Sequence, residues 1–209
     1  MKNLIFSFLF GFFSSPVMGQ QYTITYQNKY LDKYSKQYEK GLISVVAIRD
    51  SVSYQYFKFP EIRVKSPLGK KFIPHSTYKN VHADKLLSQS HLFSRVKCLI
   101  VEPLPKMEWK IENIADTILN FLCNRATTEY NGKTYIAWFT TDIPIPFGPD
   151  YFGGLPGLIL EIGNSETITS AVKILPQAAL IVEPEVGKKM SVIEFERLKA
   201  EFYKKYAPR

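Results

Sequence analysis

The chain has 209 residues, 45% apolar and 22% charged, with a formal charge of +8. Its 15 Phe, 13 Tyr and 2 Trp exclude a disordered chain, its 11 Gly and 13 Pro exclude a collagen-like or low-complexity one, and 2 Cys exclude a disulfide-dense scaffold or a four-cysteine zinc site. What remains is one globular domain with room for a sizeable core.

Residues 1–19 read as a signal peptide. Lys2 supplies a positive start, Leu4 to Phe13 an apolar stretch, and Val17-Met18-Gly19 a cleavage site. No cysteine follows that site, so the expected product, Gln20 to Arg209, is exported without a lipid anchor to the periplasm. Removing Lys2 takes Lys and Arg from 27 to 26 against 19 acids, a charge of +7. The basic residues are dispersed, which favours a solvated surface over nucleic acid and leaves open peripheral contact with anionic lipid.

Along the remaining chain, Tyr22–Tyr26 is rich in β-formers and predicts a first strand. Tyr30 to Glu39 carries Tyr30, Leu31, Tyr34 and Tyr38 at helix-like spacing and reads as a helix or an edge segment. Leu42–Ile48 and Val52–Phe59 predict two further strands, Pro60 to Leu92 follows no clear pattern, and Arg95–Val101 predicts another strand. Asn131-Gly132 between Leu119–Tyr130 and Lys133–Ile143 is a strong hairpin signal, because both residues tolerate positive φ. Counting outward from it pairs Tyr130 with Lys133, Thr127 with Ile136 and Arg125 with Trp138, which can set a guanidinium over an indole. Leu158–Ile162 and Thr167–Leu175 predict a second hairpin around residues 163–166. Ser191-Val192-Ile193-Glu194 is a capping box before an apolar stripe at Phe195, Leu198, Phe202 and Tyr206, so Ser191 to Tyr206 predicts an amphipathic helix packed on the domain. The whole reads as one mainly β (α+β) domain over residues 20–209, a curved antiparallel sheet or half-open barrel with a C-terminal amphipathic helix.

Between the hairpins, Thr141 to Ile159 holds four prolines and four glycines in nineteen residues. Proline fixes φ and glycine permits positive φ, so this is an ordered loop rather than a linker. Phe147, Tyr151, Phe152 and Leu155 either line the mouth of a pocket or plug the core.

Gly154-Leu155-Pro156-Gly157-Leu158-Ile159 resembles the hexapeptide of the GLPGLI family. Trp109-Lys110-Ile111, Ile118 to Ala126, Tyr135 to Pro144, and Gly148-Pro149 followed by Phe152 are similar to its other motifs in the same order. The resemblance implies an exported protein of a Gram-negative bacterium, associated with TonB-dependent outer-membrane transport. It brings no catalytic residues. Trp138, Gly148, Pro149, Gly154, Pro156 and Gly157 carry over as motif positions; Cys123 fits one, and Cys98 has no counterpart.

Cys98 and Cys123 are 25 residues apart among apolar neighbours, and read equally as a disulfide or as two buried thiols. No G-x-S-x-G, H-E-x-x-H or phosphate loop occurs. His75, His82 and His91 fit no compact metal motif, and Cys123 inside an apolar strand is a poor nucleophile. No cofactor is implied. Asp142, Asp150 and Glu161 flank the loop and are candidates for acid–base work or, more simply, turn residues. The expected function is that of a non-enzymatic periplasmic binding or accessory protein serving outer-membrane uptake or envelope assembly. Its partner would be a peptide, lipid or apolar ligand near Trp138, Phe147, Tyr151, Phe152 and Leu155, or an outer-membrane protein. The alternatives are an exported hydrolase using those carboxylates and a structural envelope protein.

Overall fold

The computed structural model describes residues 20–32, 35, 37–58, 76–92 and 96–206. Residues 1–19, expected to be a signal peptide, and His75 lie outside them.

The chain is mainly β, and its described residues form a single sheet of twelve strands. They are β1 (Gln21–Leu31), β2 (Tyr38–Arg49), β3 (Val52–Lys58), β4 (Ser76–Asn80), β5 (Lys85–Leu92), β6 (Val96–Glu102), β7 (Lys110–Ile118), β8 (Phe121–Tyr130), β9 (Lys133–Thr140), β10 (Leu158–Gly163), β11 (Thr167–Leu175) and β12 (Lys188–Met190), followed by helix α1 (Val192–Tyr206). Their order in space is β12-β6-β5-β4-β3-β2-β1-β11-β10-β9-β8-β7. β12 joins β6 in parallel, and every other neighbouring pair is antiparallel.

That order forces the sheet to curl. The eight chain steps from Glu102 to Lys110 reach about 28 Å at most. β6 and β7 are ten strand spacings apart, about 48 Å if the sheet lay flat. The short connection therefore bends the sheet back toward itself, although β12 and β7 do not pair and no barrel closes. The predicted curved sheet is what the chain builds.

The hairpins follow local chemistry. Asn131 and Gly132 both have positive φ, 50° and 70°, and the pairs Tyr130–Lys133, Thr127–Ile136 and Arg125–Trp138 form in the counted register. The Arg125 guanidinium, however, is ion-paired with Glu112 on β7 rather than stacked on the indole. A facing carboxylate attracts a cation more strongly than a ring quadrupole does. Leu119 and Asn120 also have positive φ and make a two-residue turn, so the strand expected from Leu119 begins at Phe121. The described residues of Tyr30 to Glu39 do not form the expected helix or separate edge segment. Tyr30 and Leu31 finish β1 and pair with Glu39 and Tyr38 at the start of β2. The uncommitted stretch from Pro60 to Leu92 contains β4 and β5.

α1 begins as its cap predicts, with the Glu194 amide donating to Ser191 Oγ at 3.2 Å. The Glu194 carboxylate turns to Lys188 instead of back to the serine backbone. Phe195 and Leu198 pack with Cys98, Ile100 and Met190.

Cys98 and Cys123 are free, buried thiols. Cys98 is on β6 and Cys123 on β8, with eight strands between them, and they belong to separate core clusters. The cysteine placement thus gives two packed thiols and no bridge.

Candidate functional site

The loop from Thr141 to Gly157 lies across one face of the sheet. Register partners share a face, so Ile24, Val46, Gln55 and Thr77 form one row across β1–β4, and Tyr22, Ile48, Ser53 and Lys79 form the next. Ile143, Ile145 and Phe147 pack on the apolar part of that face, with Ile24, Tyr26 and Val46. Backbone bonds from Leu158 to Ile143 O and from Ile159 to Phe147 O, both 2.9 Å, fasten the loop along the start of β10. The Tyr26 hydroxyl donates to Ile159 O at 2.7 Å, and its burial pushes the phenol pKa up.

The polar part of the face holds the middle of the loop. Gln55 and Asp150 bond twice: Gln55 Nε2 donates to Asp150 Oδ1 at 3.0 Å, and the Asp150 amide donates to Gln55 Oε1. Lys79 is only 3% exposed, and its Nζ donates to Gly148 O at 2.7 Å and Phe152 O at 2.9 Å. The ammonium lies 5.5 Å from the centre of the Phe147 ring. Burial pulls the Lys79 pKa down to about 7, against a smaller upward pull from Asp150. Neither Gln55 nor Lys79 is conspicuous in the sequence. Both sit in short strands whose polar residues look like solvent-facing ones.

The GLPGLI hexapeptide finds its explanation here. Gly154 has φ +86°, and a Cβ on Gly157 would stand 2.0 Å from the Thr140 carbonyl oxygen. Leu155, Leu158 and Ile159 are core residues, whereas Pro156 is exposed. Gly148 and Pro149 are buried beneath the loop. The Trp109 indole N–H caps the Gly153 carbonyl at 2.9 Å. These residues build the turn that seats the loop.

Of the residues expected to bind a ligand, Phe147, Phe152 and Leu155 are in the core and Tyr151 is half-buried against Phe152, with ring centres 4.5 Å apart. Phe147, Tyr151 and Phe152 nevertheless wall a cavity of about 140 Å³ with Lys79, Val81 and Leu104.

Trp138 is elsewhere. Glu112, Arg125, Trp138, Glu161 and Ser170 are successive register partners from β7 to β11, and Ser170 continues to Gln27 of β1. Gln27 alternates with Tyr26, so this row lies on the other side of the strands from Tyr26, while the buried part of Trp138 packs against the core cluster that includes Cys123 and Leu158. Trp138, Ile136, Glu161 and Ile168 line an open groove of about 640 Å³. Ser170 Oγ donates to Glu161 Oε2 at 2.5 Å, and Lys133 and Glu166 form an ion pair of 2.7 Å at the groove's end. The groove thus offers a half-buried indole, a carboxylate fixed by a hydroxyl, and further hydrogen-bonding groups beside it.

The three candidate carboxylates do not converge. Asp142 is exposed after β9, Asp150 is under the loop, and Glu161 is in the groove. Glu112 is three strand spacings from Glu161, about 14 Å, too far for the two carboxyl groups to act on one bond. His82 is exposed in the β4–β5 turn, and among the described residues no three metal-ligating side chains cluster.

Residues 24–194 match the family described as N-glycanase peptide, N-terminal domain, and the chain belongs to that family. Its fold is similar to that of PNGF-II, solved in P21 and C2 crystal forms, with TM-scores of 0.66 and 0.65 and 18% identity in each. The alignments cover 87% of this chain and 33% of those chains, so it spans about a third of their length. No curated protein matches the sequence. These findings overturn the resemblance to the GLPGLI family. They also overturn the accessory role in TonB-dependent uptake or envelope assembly that was expected. The hydrolase alternative accords better with a glycanase family.

Proposed function

We propose that this chain serves the enzymatic removal of N-linked glycans and that the Trp138 groove holds the sugar. Family membership supplies the class of substrate. The observation that carries the assignment to this groove is the row Arg125–Trp138–Glu161 on an open sheet surface. An indole presents a broad apolar face to the C–H surface of a pyranose while its N–H bonds a hydroxyl. A carboxylate accepts two or more hydroxyl hydrogen bonds. A groove of about 640 Å³ has the volume of a small-ligand site. Because Glu161 and Glu112 stand too far apart to act as a pair and the Glu166 carboxylate is taken by Lys133, the groove is suited to positioning a glycan rather than cleaving it alone.

The test is calorimetric titration of the full chain with an N-glycosylated peptide and with the same peptide lacking its glycan, while mass spectrometry follows glycan release. Binding of the glycosylated form alone, lost in Trp138→Ala, supports the sugar-holding role. Glycan release that Glu161→Gln abolishes would place the hydrolytic step in the groove itself. Absence of both binding and release would overturn the assignment.

A further inference from the structure

The cavity beneath the loop is separate from the groove. Its walls are Val81 from the β4–β5 turn, Leu104 from the β6–β7 connection, and Phe147, Tyr151 and Phe152 from the loop, with Lys79 among them. Val81 is 42% exposed, which gives the cavity an opening to solvent. An apolar cavity of about this volume accepts a benzene-sized molecule.

Lys79 makes this cavity different from a packing defect. An ammonium has three N–H donors. Two are held by the Gly148 and Phe152 carbonyls, and beyond them the ammonium lies over the Phe147 ring, 5.5 Å from its centre. The acid nearest in effect is Asp150, whose carboxylate is tied to Gln55 on β3. A buried cation is stable when an anion or an acceptor completes its shell.

We propose that this cavity binds a small carboxylate with an apolar body, its carboxylate taken by Lys79 and its body by Leu104, Phe147 and Tyr151. Size limits the ligand to about a single ring or a short branched chain. A sugar is too large and would leave its hydroxyls unpaired against apolar walls. A phosphate carries more charge than one lysine compensates, and nothing in the walls solvates the remainder.

Benzoate and isobutyrate are the probes, titrated into the full chain labelled with ¹⁵N and read by amide chemical shifts. Benzyl alcohol is the neutral control, and inorganic phosphate is the control for charge alone. The expected result is saturable shifts at Val81, Leu104, Gly153 and Gly154, with benzyl alcohol at least tenfold weaker and phosphate without effect. Val81→Trp, which fills the mouth and leaves Lys79 in place, should remove benzoate binding with the fold intact. Lys79→Met should do the same wherever it folds. No shifts with either acid, shifts mapping outside the cavity, or equal affinity for benzoate and benzyl alcohol would overturn the proposal. So would benzoate binding that persists in a folded Val81→Trp. Because the probes contain no sugar and the reporters are on the loop face, the result is independent of the Trp138 groove.

Discussion

Lys79 and Gly148 are 69 residues apart in the chain and meet through a 2.7 Å hydrogen bond from a buried ammonium to a backbone carbonyl. With the second bond to Phe152 O, this one side chain ties β4 to both ends of the loop's central turn.

Lys79 makes stability depend on pH in a defined direction. Burial pulls its pKa from 10.5 to about 7 in the folded chain. Below pH 7 folded and unfolded chains both carry the proton, and the desolvation penalty opposes folding in full. As pH rises through 7 the folded chain sheds the proton while the unfolded chain keeps it until about 10.5. Stability should therefore rise across that window, by at most about 1.4 kcal/mol per pH unit. A neutral amine still has two N–H donors, so both carbonyl bonds survive. Urea unfolding at about pH 6, 7.5 and 9 reads the slope, and Lys79→Met should flatten it. A slope unchanged in that variant would assign the effect to another group.

Gly157 and Gly132 should respond differently to alanine. At Gly157 the new Cβ would stand 2.0 Å from Thr140 O, so backbone must move on one side. The cost should reach the upper end of about 1–3 kcal/mol, with the loop displaced from β10. At Gly132 nothing lies within 4 Å, and only the φ of +70° is unfavourable. That substitution should cost about 1 kcal/mol. Thermal melts of the two variants check the ranking.

Leu119 is 39% exposed and held at φ 50°, a conformation that a leucine adopts at a cost. Leu119→Asn keeps the turn and relieves that cost. We expect a gain of about 0.5–1 kcal/mol, measured as an increase in the urea midpoint at constant slope.

Ser191→Ala removes the acceptor for the Glu194 amide at the start of α1. The expected loss is about 1 kcal/mol, concentrated in the helix. Hydrogen exchange should accelerate in the first turn of α1 and leave β8 and β9 unchanged.

Features that a few neighbouring residues decide were legible in the amino-acid order. Asn131-Gly132 set a hairpin and its register because a two-residue turn with positive φ leaves one pairing open. Ser191 set the start of α1 because an orphan amide three residues on needs an acceptor. The Leu119-Asn120 turn escaped notice because leucine is not a residue that favours positive φ. The glycine and proline pattern of the loop marked an ordered segment but not its role; the motif glycines read as a family signature serve a close backbone approach at Gly157, a positive φ at Gly154 and contact with the Ile159 side chain at Gly148.

Where these pieces meet depends on contacts between segments far apart in the chain. β1 lies between β2, which ends at Arg49, and β11, which begins only at Thr167, because both of its edges find backbone partners there. The short link from β6 to β7 curls the sheet, and that curl brings Leu104 against the loop. Lys79 and Gln55 became buried because the loop came down on them, so their polarity in the sequence spoke for solvent when the structure gave them carbonyls and Asp150. Trp138 and Phe147, nine residues apart, line different cavities because the loop returns across the sheet between them. Local chemistry selects turns and caps, but a face or a cavity is the product of segments far apart in the chain, and no single segment encodes it.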